Sequence, residues 1–135
     1  MEARSIKDNI NVLRHLNLSR SINIIKVYSS YLLSNIIKRP IQWGIPFSID
    51  FEPTTSCNLR CPECPSGLRK FSRPTGMLEM NSFKKTVDEV SKCSFYLMFY
   101  FQGEPFLNSN FLEMVTYAKS KKLYVATSTN AHYLT

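Results

Sequence analysis

Three cysteines fall within eight residues of one another, in Cys57-Asn58-Leu59-Arg60-Cys61-Pro62-Glu63-Cys64, a C-x3-C-x2-C spacing. Thiolate is the usual protein ligand of iron–sulfur clusters, and three thiolates from one short loop can converge on one face of a cubane cluster. A [4Fe–4S] cube held by only three cysteines keeps one iron open to a small molecule. That arrangement predicts reactivity, and not electron storage alone.

Other uses of the thiols are weighed on the same residues. A structural zinc site takes typically four ligands, often as two separated pairs. Here the second pair is missing, and Cys93, His15 and His132 are the remaining donors, none of them paired. Cys93 borders an apolar run and reads as a small core residue. A disulfide among the three would leave an odd thiol. A plain electron carrier would bring four cysteines to each cluster. A small zinc or iron–sulfur binding module stays open as an alternative.

A second motif, Gln102-Gly103-Glu104-Pro105, follows the apolar run Ser94–Phe101. Gly103 permits close backbone approach, Glu104 offers an anion to an ammonium group, and Pro105 stiffens the turn. A third polar stretch, Thr127-Ser128-Thr129-Asn130, ends a later apolar run. Arg60, Arg69, Lys70 and Arg73 flank the cysteine loop, where they can meet an anion or simply face solvent.

The elements that must position these motifs read as follows. Residues 1–39 are predicted helical, with Ile22, Ile25, Leu32 and Ile36 near helical spacing and Val27 and Tyr31 four apart on another face; a helix laid against the core is expected, with a membrane-surface or partner helix as the alternative. Pro40 stops that segment. Phe47–Glu52 alternates apolar and polar residues, as a strand does, and the cysteine loop follows it. Residues 65–78 read as a loop through Pro65, Gly67, Pro74 and Gly76. Asn81 or Ser82 is expected to cap a helix bearing Phe83, Val87 and Val90. Ser94–Phe101 is expected to be a strand buried on both faces. Asn108 or Asn110 would cap a helix with Phe111, Leu112, Val115 and Ala118, and Leu123–Thr127 forms a third strand. Strands alternating with helices imply parallel βαβ units. In such sheets ligands bind beyond the carboxyl ends of the strands, and both unusual loops lie there.

Composition narrows the class. An apolar share of 44% against 20% charged residues excludes a disordered chain. The net charge of +7 is spread without a basic, aromatic-rich stripe, which argues against nucleic acid. The segment Ile22–Ile37 is broken by Asn23, Lys26, Ser29, Ser30, Ser34 and Asn35, short of the ~20 apolar residues of a membrane span. No signal peptide is visible behind Glu2 and Asp8, so a cytoplasmic location is expected, where clustered cysteines bind metal more often than they pair.

The cysteine spacing after a first strand resembles the radical S-adenosylmethionine (SAM) superfamily. The wider string Cys57–Pro65, followed by a basic loop and Thr75-Gly76-Met77, is similar to members with a C-terminal SPASM or twitch domain. The resemblance covers roughly residues 45–135. It implies an α/β fold, a partial (β/α)6 TIM-like barrel of which the first three strands are present, with residues 1–44 as an N-terminal helical leader and 45–135 as half of the core domain. It implies that Cys57, Cys61 and Cys64 ligate a [4Fe–4S] cluster and that Gly103, Glu104 and Pro105 hold the amino end of SAM, with Asn130 facing the same pocket. It also implies reductive cleavage of SAM to a 5′-deoxyadenosyl radical that abstracts hydrogen from a peptide or small-molecule substrate, fed by a reducing partner such as a flavodoxin or ferredoxin. Glu63 stands where the family often has an aromatic residue, and Gln102 replaces the first glycine of its Gly-Gly-Glu-Pro element. Later barrel strands and any auxiliary cluster domain are not in the sequence, so a truncated, inactive fragment is a further alternative. The third strand is expected to present an unpaired edge.

Overall fold

A computed structural model describes residues 2–134, with side chains described from residue 6 onward. Three short strands form one sheet: β1 (Ser48–Phe51), β2 (Tyr96–Phe99) and β3 (Tyr124–Thr127). They are parallel in the order β1-β2-β3, with Phe51 opposite Phe99 and Phe99 opposite Thr127. Parallel neighbours need a crossover. These are α4 (Met80–Val90) between β1 and β2, and α5 (Phe111–Ser120) between β2 and β3. Among the described residues β3 pairs only with β2, so both outer strands carry a free edge.

The core lies between the sheet and these two helices. Phe83 and Val87 of α4, Leu97 and Phe99 of β2, and Phe111, Met114 and Ala118 of α5 are all buried there, with Leu123. Their spacing explains the helices: Phe83 and Val87, like Phe111, Met114 and Ala118, recur at three or four residues. The sheet's other face is only half-covered: Tyr124 there meets Asp8 and His15 of the leader, while Tyr96 and Met98 stay half-buried. Ser94–Phe101 is therefore not a strand buried on both faces. Leu97 and Phe99 are buried, Tyr96 and Met98 half-buried, and Tyr100 and Phe101 exposed beyond the strand's end.

Of the two expected helix caps, the one of α4 differs and the one of α5 holds in position. α4 starts at Met80 after Glu79, which leaves Asn81 and Ser82 inside the first turn. Asn110 occupies the cap position of α5. Asn108 instead is buried, and its amide donates to the carbonyls of Pro53 (2.7 Å) and Leu78 (3.0 Å).

The leader is two helices, α1 (Glu2–Leu13) and α2 (Leu18–Ile37). Asn17 separates them: its side chain accepts from the Arg20 N–H and caps α2. Ile37 ends α2, with Lys38 in the left-handed region at φ 58°. The packing face of α2 is not the one expected. Arg20, Asn23 and Ser30 are buried, whereas Ile22, Ile25, Leu32 and Ile36 are exposed. The reason is hydrogen bonding. Arg20 donates to the carbonyls of His15, Ser91, Lys121 and Lys122, the last three following α4 and α5. Asn23 donates to Ile45 and Cys93 carbonyls and accepts from the Ile45 N–H. These groups satisfy backbone oxygens that would otherwise be orphaned, so they turn inward and the aliphatic side turns out.

Candidate functional site

Every motif singled out in the sequence, apart from the isolated donors, lies at the carboxyl end of the sheet. The root of the cysteine loop is clamped. Thr54 forms a bridge with Met77, the Leu78 N–H donates to Pro53 (2.9 Å), and Gly76 exchanges hydrogen bonds with Thr54 and Thr55. The loop ends in α3 (Pro65–Leu68), a single helical turn within the stretch expected to be irregular. Pro65 at its first position is compatible with such a turn. Gly67 sits so close to the loop that an added Cβ would lie 2.5 Å from the backbone N and O of Cys61.

The Gly-Glu-Pro loop docks directly on this root. The Glu104 N–H donates to the Ser56 carbonyl at 2.8 Å, one residue before Cys57. Gly103 has φ 77°, and a Cβ there would come within 2.1 Å of the Thr54 carbonyl, so only glycine fits. The Gly103 N–H donates to Ser66 Oγ (3.0 Å), which donates in turn to Gln102 Oε1 (2.7 Å). Gln102, standing in place of a glycine, thus braces α3 against the loop. Phe101, just before it, holds φ 113° while 71% exposed. A bulky residue in that region costs about 1–3 kcal/mol, and such strain clusters at sites that do something.

The third strand's end closes the circuit. The Glu104 carboxylate is 2% exposed. It accepts from Thr129 Oγ1 (2.6 Å), the Asn130 N–H (2.7 Å) and the Phe106 N–H (3.3 Å). A carboxylate offers about four lone-pair sites, so one acceptor position remains. Asn130 in turn donates from Nδ2 to Asn58 Oδ1 (2.7 Å) and lies 3.9 Å from Cys57 Sγ. Pro105 is buried and opens a short 3-10 turn over residues 105–107. Cys57, Gly103, Glu104, Pro105 and Asn130 are therefore one hydrogen-bonded assembly. Ser66, Gly67 and Thr129 belong to it too and were missed. Gly67, a glycine three residues after Cys64, and Thr129, inside the polar stretch 127–130, carried a signal; Ser66 carried none.

The thiols are close in sequence but not gathered. All four cysteines are free, with Cys57, Cys64 and Cys93 half-buried and Cys61 exposed. Among the described residues no three His, Cys, Asp or Glu side chains form a group that could hold a metal ion. Such convergence is ordinarily supplied by the metal itself, since binding and local folding are coupled. The donor chemistry fits an iron–sulfur cluster on two observations. The Gly67 N–H, helped by Ser66, holds the Cys64 thiol below the usual thiol range despite some opposing burial, which favours the ligating thiolate. The Leu59 N–H points at Cys57 Sγ (3.4 Å), beside the Asn130 amide. Donors of this kind to cluster sulfurs set the potential.

The other donors are elsewhere. Cys93 precedes β2, and His15 bonds the Lys122 carbonyl just before β3. Both lie at the amino end of the parallel sheet, across it from the cysteine loop. Cys93 is half-buried at a groove edge and is not a core residue. His132 follows β3 at the same end as the loop and is exposed. A cavity of about 380 Å3 opens beside the loop, lined in part by Cys57, Ser66, Arg69, Phe71 and Arg73. Arg73 is already paired with Glu52 at 2.6 Å.

Comparison with known proteins agrees with this geometry. No family model matches the chain. Over 90 residues, 67% of its length, it is 32% identical to mycofactocin maturase MftC of Mycobacterium tuberculosis. It is 32% identical over an equal span to an AdoMet-dependent heme synthase of Methanosarcina barkeri. These matches cover 22% and 26% of the two relatives, so the chain spans about a quarter of their length or less. In fold, it is similar to the crystal structure of BtrN in complex with AdoMet and 2-DOIA, with a TM-score of 0.56 and 23% identity, over 67% of this chain and 38% of that one. The cysteine spacing, these relatives and the shared fold together place the matched part of the chain in the radical SAM superfamily.

Proposed function

We propose that this chain supplies the cluster-holding and SAM-holding rim of a radical SAM enzyme, with residues 45–135 as the first half of its barrel. The observation that carries the reading is the docking of Glu104 on Ser56, which ties the Gly-Glu-Pro loop to the residue before the first cysteine. In this reading Cys57, Cys61 and Cys64 hold a [4Fe–4S] cluster. Such a cluster, when bound, would supply the single electron for reductive cleavage of SAM to methionine and a 5′-deoxyadenosyl radical.

The chain's own residues do the positioning. Gly103 lets the backbone approach a ligand, and the remaining Glu104 acceptor position would take the SAM ammonium. Thr129 and Asn130 hold that carboxylate in place, and Asn130 steadies the loop through Asn58. The short connections between strands and loops keep this rim rigid, as orientation requires. The substrate is a peptide or small molecule. The named relatives act in mycofactocin maturation and heme synthesis, and neither name selects between the two classes. A flavodoxin- or ferredoxin-like reductant in the cytoplasm and a SPASM-type continuation complete the proposal.

Anaerobic reconstitution tests it. The expected result is bound iron and sulfide, and 5′-deoxyadenosine formed from SAM after reduction. Tightly bound zinc with no iron would overturn the reading in favour of a zinc module, and a cluster without SAM cleavage would favour an inactive fragment.

A further inference from the structure

α2 is an inside-out helix. Its polar residues Arg20, Asn23 and Ser30 face the body of the protein, and Leu18, Ile22, Ile25, Leu32 and Ile36 form a stripe on the opposite side. Leu18 and Ile36, at the two ends, are 78% and 77% exposed. The preceding helix repeats the pattern with Ile6, Ile10 and Leu13, spaced four and three residues apart and all exposed. Single exposed aliphatics need no explanation, but a continuous stripe marks an interaction surface. The hydrogen bonds of Arg20 and Asn23 fix the helix in this orientation, so the stripe cannot roll inward.

The surroundings of the stripe identify what covers it. Residues 9–49 contain no aspartate or glutamate, while Arg14, Lys26, Lys38 and Arg39 lie in or beside α2. Tyr28 and Trp43 are more than half exposed beside it, whereas the exposed Tyr31 lies on the side of Ser30 and Ser34. Trp43 shares a groove of about 650 Å3 with Leu18, Ile22 and Lys26. An apolar stripe edged by cations and by amphipathic rings is the composition of a helix lying in a lipid interface. A second copy meeting the stripe like-to-like would bring cations together with no acidic residue to answer them. An anionic bilayer surface offers both an apolar layer and the opposite charge.

We propose that α1 and α2 dock this protein on an anionic membrane surface, the α2 stripe entering the headgroup boundary and Lys26, Lys38 and Arg39 meeting lipid phosphates. α2 lies parallel to the surface and does not cross it, in keeping with the finding that no helix among the described residues is long and apolar enough to span a membrane. The cluster rim sits at the carboxyl end of the sheet, whereas Arg20 fastens α2 to the ends of α4 and α5 at the amino end. Docking therefore leaves the proposed active site uncovered.

The test uses the full chain, with vesicles of phosphatidylcholine alone or mixed with phosphatidylglycerol. Trp43 is the single tryptophan and reports directly. The expected result is a blue shift of its emission and co-sedimentation with the anionic vesicles, at least ~10-fold tighter than with neutral ones and weakened by salt. Ile25→Glu with Leu32→Glu, both at exposed positions, abolishes binding with an unchanged far-ultraviolet circular dichroism spectrum. Lys26→Gln and Lys38→Gln each weaken binding by roughly fivefold. No binding to anionic vesicles would overturn the proposal, and so would equal binding by the stripe variant. Concentration-dependent dimers abolished by Ile25→Glu, without vesicle binding, would assign the stripe to a second copy. None of these outcomes depends on a cluster, so a failure here leaves the radical SAM reading standing.

Discussion

Gly103 and Glu104 show how a four-residue motif is held by residues far from it in sequence. Gly103→Ala meets both a positive φ and the Thr54 carbonyl at 2.1 Å, and is expected to cost at least about 2 kcal/mol in denaturant unfolding. Gly76→Ala is the control. A Cβ there meets nothing within 4 Å, so its unfolding midpoint should hold or rise; equal losses in both variants would contradict this account of the loop. Glu104→Gln keeps the shape but turns an amide donor toward either the Asn130 or the Phe106 N–H, for an expected loss of about 1–3 kcal/mol. At the cysteines, Cys61→Ala should lower reconstituted iron from about four atoms per chain to background, while Cys93→Ala at the far end of the sheet leaves it unchanged. Iron retained in Cys61→Ala would contradict the ligand assignment. Residue type and spacing singled out Cys57, Gly103 and Glu104, which the fold brings to one rim, and Cys61 and Cys64, whose ligand role belongs to the proposal. The link of Thr129 to Glu104 was not legible, because it spans 25 residues and depends on β2 and β3 lying in parallel register.

At the scale of elements, the strand–helix alternation was readable because its periods switch cleanly between apolar runs and three-or-four spacing. The burial of β2 was not, since an apolar run does not say how many faces are covered. α2 was misread for a related reason. Periodicity in Ile22, Ile25, Leu32 and Ile36 reveals a stripe, but which side faces the protein was decided by carbonyls of Ser91, Lys121 and Lys122 that need Arg20. α3 was hidden by its proline and glycine. The leader's second anchor is the Tyr124 hydroxyl, which donates to Asp8 of α1 at 2.6 Å. That hydrogen bond, with burial behind it, raises the phenol from 10.0 to about 12. The folded state thus holds this proton more tightly than the unfolded chain. Its stabilisation is complete below pH 10 and is lost as pH rises toward about 12. In a spectrophotometric titration, Tyr124→Phe should remove the late-ionising phenol. Loss of only an ordinary phenol near 10 would show that the α1 contact does not hold in solution.

For the whole molecule, two ends of one sheet carry two roles. The carboxyl end gathers the cysteine loop, the Gly-Glu-Pro loop and Asn130, as ligand sites in parallel α/β sheets do. The amino end is where Arg20, Asn23 and His15 fasten the leader. The chain covers about a quarter or less of its curated relatives, so turnover and substrate belong to the proposal while the rim itself can be tested directly. The most direct test is electron paramagnetic resonance of the anaerobically reconstituted, reduced chain, recorded with and without SAM. A cluster held by three cysteines has an open iron, and the account predicts a [4Fe–4S] signal that changes shape when SAM is added. A cluster signal indifferent to SAM, or no cluster signal at all, would contradict it.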